Sequence, residues 1–365
     1  MKGAQQDLAS GRPVDAVMKL RRITEIAPTV PAGWYVLGHA YNAVVQEAIG
    51  TFSDRPEDMP WRQLLLADAF MSDGRLTDAF ALYRQAGEQL PSMLTIHDSV
   101  TRIYEQTDHR DWAAKERAST PPVPDCTSRK PMCEFRAGRY GAAYAAALRG
   151  NDNESRYWLA RAATELALAA FKRLEALPDS RERREVRGTV AQAERRYTDA
   201  IAEFQAALKF APGDEALRAD LGSTYFFAGD YENAAATLLP LVKAHGDDPQ
   251  LLGWCGKALL ELQRIEEAIP FLQRSADLDT SDPSVRLALA RAYIAKEYFA
   301  AAAPLLELDL PDDADGSVHV QLARAYKGLG KDEKAAELLA RSQELQRASQ
   351  QRSAATGERK ITPPK

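Results

Sequence analysis

The chain has little of what a catalytic or metal-bound domain needs. Its 365 residues include three cysteines and five histidines, and neither type clusters. No C-x-x-C or C-x-x-C-H occurs, which removes a dithiol redox motif and covalent haem attachment. Zinc asks for about four ligands, yet His39, His97, His109, His245 and His319 are scattered along the chain. The patterns G-x-S-x-G, P-loop, G-x-G-x-x-G and H-E-x-x-H are all missing. No catalytic residue, cofactor or metal is therefore expected, and the chain reads as a non-enzyme.

Other absences narrow the class further. No stretch reaches the ~18 consecutive apolar residues of a membrane-spanning helix. The opening MKGAQQDLASGR lacks the apolar core of a secretion signal. The formal charge is −5 with 27% charged residues, whereas a nucleic-acid partner usually calls for a concentrated basic face. The one arginine-rich run, RERREVR at 181–187, alternates in sign and reads as a solvated helix face. β-Branched runs are scarce while alanine and leucine abound, so an all-α chain is expected.

What the sequence does have is a recurring small residue. Ala200, Ala234, Ala268 and Ala302 follow one another at intervals of 34 residues, and Ala335 comes 33 later. Each lies early in a helical apolar pattern, and each is preceded by a second such pattern with its own small residue. Thus Leu221, Gly222, Tyr225, Gly229, Ala234 and Leu238 are echoed by Cys255, Gly256, Leu259, Gln263, Ala268 and Leu272. A small residue at the eighth place of a unit lets its two helices approach. Large apolar residues three or four apart fill the seam between them. Gly229 and Gly330 fall between helices, where a left-handed residue can end the first one. Pro212, Pro249 and Pro283 mark junctions, where a missing amide donor costs nothing.

This pattern resembles the tetratricopeptide repeat family. Trp34, Leu37, Gly38 and Tyr41 match the first half of its W-x₂-L-G-x₂-Y signature, and Ala79, Tyr83, Ala86 and Pro91 match the second half. The resemblance covers roughly residues 8 to 350. It implies an all-α, right-handed superhelical solenoid of about eight or nine stacked helix-turn-helix repeats. Such an array presents a surface rather than housing chemistry.

Two departures stand out. The spacing from Ala16 to Ala79 is 63 residues, and from Ala143 to Ala200 it is 57. Each gap holds an extra segment, Trp34 to Phe52 and Arg156 to Leu177, and the two resemble each other. Each also follows a similar short pair (G-R-P-V-D-A at Gly11, G-R-Y-G-A-A at Gly138) and precedes a similar element (R-L-T-D-A, R-Y-T-D-A). This reads as an internal duplication carrying one long helix per half. The first unit looks clipped, which suggests that an upstream segment has been removed. The compartment is accordingly left open between the cytoplasm and, with a removed signal, the periplasm or outside.

The expected organisation is an N-terminal array over 1–118, a linker over 119–132, a C-terminal array with a capping helix over 133–352, and a disordered tail over 353–365. Four prolines in STPPVPDCTSRKPMC forbid a continuous helix in the linker. Cys126 lies within the linker and Cys133 just after it, seven residues apart, and they are either a loop-stapling disulfide or two free thiols. Cys255 is expected to be a small core hydrophobe.

The family resemblance also places residues on an inner face. The first helix of each unit would line the groove, with Lys257, Arg291 and Arg324 at the same place of three successive units. Trp254, Phe226, Leu260 and Ile294 are the expected apolar neighbours. A basic ladder beside apolar surface favours an acidic protein or peptide partner, and implies a binding scaffold or adaptor with no nucleic acid and no membrane span. A ligand-responsive sensor and an accessory subunit of an enzyme are the alternatives.

Overall fold

Helix punctuation recurs along the chain in a form that can be followed residue by residue. The computed structural model describes all residues except 54, 124, 128, 129, 358, 359 and 365, together with the side chains of 352–357. Among the described residues there is no strand. The helices are α1 (Lys2–Ala9), α2 (Pro13–Ile26), α3 (Pro31–Gly50), α4 (Met59–Ser72), α5 (Leu76–Gln89), α6 (Leu94–Gln106), α7 (Arg110–Ser119), α8 (Lys130–Arg136), α9 (Tyr140–Ala147) and α10 (Asn153–Glu175). They continue as α11 (Arg181–Ala193), α12 (Tyr197–Phe210), α13 (Glu215–Phe227), α14 (Tyr231–Ala244), α15 (Pro249–Glu261), α16 (Ile265–Leu278), α17 (Pro283–Ala295), α18 (Phe299–Glu307), α19 (Ser317–Gly328) and α20 (Asp332–Gly357).

Among the described residues, eighteen of these helices form hairpins, each turning through one left-handed residue. Gly11, Gly74, Asp108, Gly138, Arg195, Gly229, Gln263, Glu297 and Gly330 all have φ between 59° and 78°. Glycine reaches this region without strain; Gln263 at 59° must crowd its own Cβ to do so. Helix starts are equally regular in the second half. Asp248 Oδ1 accepts from the amides of Gln250 (2.9 Å) and Leu251 (3.1 Å). Asp282 does the same for Ser284 and Val285. In both cases the next residue is a proline in the first helical position, where no amide donor is required.

Close packing depends on the small residues. A β-carbon on Gly222 would sit 2.6 Å from Leu238, and one on Gly256 would sit 2.7 Å from Leu272. Both pairs join the two helices of one hairpin. Ala200, Ala234, Ala268 and Ala302 are fully buried. So is Cys255, whose thiol burial pushes up to about 12, leaving it an inert apolar filler.

The chain forms two compact units, residues 1–178 together with the C-terminal 358–365, and residues 179–357. The expected linker over 119–132 is therefore not the boundary. The reason lies in α3 and α10, the long helices of the duplicated segments. They pack against each other across the proline-rich segment and share one core of Leu37, Ala40, Tyr41, Ala163 and Ala167. A disulfide joins Cys126 to Cys133, with their Cα atoms 5.8 Å apart. The linker residues 124, 128 and 129 lie outside the described residues.

The expected disordered tail over 353–365 is also corrected in part. Helix α20 runs on to Gly357, and residues 360–364 follow an extended path against the first unit. There Ile361 packs on the core of α4–α7, and the buried Tyr104 hydroxyl donates to the Thr362 carbonyl at 2.7 Å. Residues 358, 359 and 365 lie outside the described residues.

Candidate functional site

In the second unit the first helices of successive hairpins touch one another in order: α13 meets α15, α15 meets α17, and α17 meets α19. They form a row, and the expected ladder has one cation on each of α15, α17 and α19. Its three cations are not equivalent. Lys257 is half-buried on α15 and donates to Ser284 Oγ at 3.0 Å. Burial pulls its ammonium below the usual lysine range, while nearby Asp282 opposes that fall. Arg291 on α17 reaches back to Glu261 at 3.0 Å. Arg324 on α19 is exposed and bonds to Gln321 of its own helix at 3.3 Å.

The apolar neighbours divide as well. Trp254 is half-buried and lines a cleft of 1060 Å³ between α13 and the start of α15. Leu260, expected on the groove, is 4% exposed and belongs to the core. The correction has a simple cause, since the first helix is packed from both sides and Leu260 falls on the covered part of its circumference. Phe226 packs against Phe227 and Tyr231, with centroids 5.7 and 5.6 Å away. Ile294 is half-buried against the core under α18 and α19.

The cleft beside Trp254 is acidic, which sequence reasoning missed. Glu215, Asp220, Asp247, Asp248 and Asp279 all line it. Several are already engaged: Glu215 with His245 at 2.7 Å, Asp247 with Arg274 at 2.6 Å, and Asp248 as a helix cap. Asp220 differs. Burial, helped by Glu185 and Asp214 and opposed by Arg181, pushes its carboxyl up to about 6. Asp220 holds the sixth place of its unit, as Trp254 does of the next, so the cleft could have been found by reading equivalent places down the repeat. The row thus carries acid at one end and cations at the other.

Among the described residues no three His, Cys, Asp or Glu side chains are grouped to hold a metal ion. No helix among them is long and apolar enough to cross a membrane. In the first unit, Tyr35 lies 4.4 Å from His39 and Trp61 lies 5.9 Å from Tyr157, ring to ring. Trp158 is buried.

Family models named for the tetratricopeptide repeat match residues 191–255 and 316–349, within the hairpins just described. Those two stretches are tetratricopeptide repeats. Among solved structures it is similar to MamA from Desulfovibrio magneticus RS-1, at 17% identity over 47% of this chain and 98% of that one (TM-score 0.43). It is also similar to YrrB, described as a TPR protein with an unusual peptide-binding site, at 19% identity over 44% of this chain and 82% of that one (TM-score 0.39). A third is a thermophilic TPR protein of Thermus thermophilus, TTC0263, at 18% identity over 49% of this chain and 98% of that one (TM-score 0.38). No curated protein matches the chain. Tetratricopeptide arrays in general are protein-interaction scaffolds, and the repeat accounts for the row of first helices as it does for the hairpins.

Proposed function

We propose that this protein is a non-catalytic adaptor that holds an extended protein or peptide segment along the first-helix face of its second unit. The supporting observation is the alignment of Lys257, Arg291 and Arg324 on α15, α17 and α19, three helices that touch in succession. An acidic stretch of the partner would pair with Arg324 and with Arg291, the latter exchanging its bond to Glu261 for one to the ligand. Guanidinium suits this role because its planar fork matches a carboxylate. Trp254, in the cleft at the other end, offers a flat apolar surface for a side chain of the same segment. Lys257, desolvated and hydrogen-bonded to Ser284, would act mainly as a fixed positive charge.

A peptide display library tests this reading. Wild type is expected to enrich acidic sequences, with binding that weakens as salt rises. A Lys257→Glu/Arg291→Glu/Arg324→Glu variant with unchanged helicity is expected to lose them. Identical enrichment by both proteins would rule out the basic ladder as the binding feature.

A further inference from the structure

We propose that the groove made by α5, α6 and α7 in the first unit is a second peptide-binding site, specific for an extended aliphatic-x-Pro-Pro segment, and that the chain's own Ile361–Pro364 is its tethered, displaceable occupant. This site is independent of the first-helix face of the second unit.

The contacts are those of a ligand. Thr362 precedes a proline, so its backbone is confined to extended conformations. Pro363 and Pro364 have no amide hydrogen. Such a segment can offer only acceptors and apolar surface, and the groove answers both. Tyr104, fully buried on α6, donates its hydroxyl to the Thr362 carbonyl at 2.7 Å. Ile361 packs against the core cluster that includes Tyr104 and is joined at its edge by Trp112. Aromatic walls with a hydroxyl donor aimed at a carbonyl are the general means of reading proline-rich extended segments.

Two observations separate a ligand from a permanent strap. The hold is small: one described hydrogen bond and one large aliphatic side chain, with Thr362 and Pro363 exposed. Holding so short a segment in place relies on the high effective concentration that a tether supplies. The site also extends past its occupant. Pro364 lies at the side of a recess of 410 Å³ lined by Arg84, Ile96, His97 and Glu116, and a longer segment has room to continue there. At its floor the buried Glu116 carboxylate meets His97 Nδ1 at 2.7 Å, so the recess offers a polar end to an otherwise apolar groove.

The test uses the full chain. A fluorescent peptide of residues 357–365, Gly-Glu-Arg-Lys-Ile-Thr-Pro-Pro-Lys, is titrated by anisotropy against wild type and against Ile361→Asp, which unseats the tail. The variant is expected to bind the peptide saturably and at least tenfold more tightly than wild type. Adding Tyr104→Phe to the variant should weaken binding several-fold, and a peptide carrying Asp in place of its isoleucine should not bind. Equal affinity of the two proteins would overturn the proposal, and so would failure of a normally helical Ile361→Asp to bind, since the tail would then be only a structural strap. Should Ile361→Asp lose helicity, a chain ending at residue 359 replaces it with the same two outcomes.

Discussion

The ring of Phe171 lies where a β-carbon on Gly38 would stand, 2.5 Å away. In an ordinary hairpin of this chain that position faces the second helix of its own unit, as Gly256 faces Leu272. Helix α3 has no second helix following it. Its partner is α10, its duplicate, which supplies the missing packing surface from more than a hundred residues along the chain. His39 lies edge-on to the same ring, centroid to centroid 5.4 Å, which limits how Phe171 can move aside.

Gly38→Ala should therefore destabilise despite improving helix propensity. Propensity favours alanine by about 1 kcal/mol, and overpacking a fixed neighbour costs about 1–3 kcal/mol. The net expectation is a lower melting temperature for Gly38→Ala and a larger fall for Gly38→Leu. In a double-mutant cycle, Phe171→Ala should make Gly38→Ala nearly harmless. Additive losses would mean that the ring is not what Gly38 accommodates.

A second tie, joining α10 to α4 and α5 within the first unit, is polar. Asp68 on α4 accepts from the Tyr83 hydroxyl at 2.6 Å and the Tyr157 hydroxyl at 2.9 Å, and pairs with Arg161 at 2.7 Å. Burial raises the Tyr83 and Tyr157 phenols, so both remain protonated donors through the neutral range. Removing one member strands the others in a poorly solvated place, a loss of about 3–5 kcal/mol for a buried pair. Asp68→Ala should approach that range in urea denaturation. The exposed Arg264–Glu267 pair, at 2.7 Å, sets the contrast: Arg264→Ala should shift the urea midpoint hardly at all, because a solvated pair is screened. Comparable losses at the two sites would show that the Asp68 cluster contributes no more than a surface pair.

The hairpins were legible because their causes are local. A left-handed glycine, a small residue at the eighth place and a proline at the junction each act within one unit, and their 34-residue recurrence exposes them. The two long helices were legible too, through the likeness of residues 35–38 to 157–160. Their pairing was not. The W-x₂-L-G-x₂-Y match at Trp34 marks a helix built to receive a partner, but nothing in the period says that the partner comes from the duplicate rather than the next segment. The boundary at Pro178 followed from that pairing and was hidden with it. The seating of Ile361 was obscured for the opposite reason: a short, proline-rich, polar-flanked terminus has the composition of a disordered tail, and only the groove opposite gives it a place. On the first helices, equivalent places pointed to Lys257, Arg291 and Arg324 but also promoted Leu260, because a repeat register gives direction around a helix only to within the width of its seam.

The acidic end of that row gives a prediction with a defined pH course. Asp220 titrates near 6 in the folded chain, above the ordinary aspartate value of about 3.9. A raised carboxyl favours the folded state while it is protonated. That contribution is complete below about pH 4 and is lost as pH rises through 6. At pH 8 the ionised carboxylate therefore opposes folding, and Asp220→Asn should relieve it. Allowing for partial exposure, the relief is about 1 kcal/mol, or roughly 2–4 °C in melting temperature for a unit of this size. The difference between variant and wild type should shrink toward zero by pH 4. A constant difference across that range would mean that Asp220 acts through packing and not through charge. A carboxylate kept at the expense of stability beside an aromatic wall is what a binding surface retains. The same substitution is therefore expected to weaken partner binding at pH 8 even as it stabilises the fold. A variant that is more stable and binds equally well would leave Trp254 without an acidic companion in recognition.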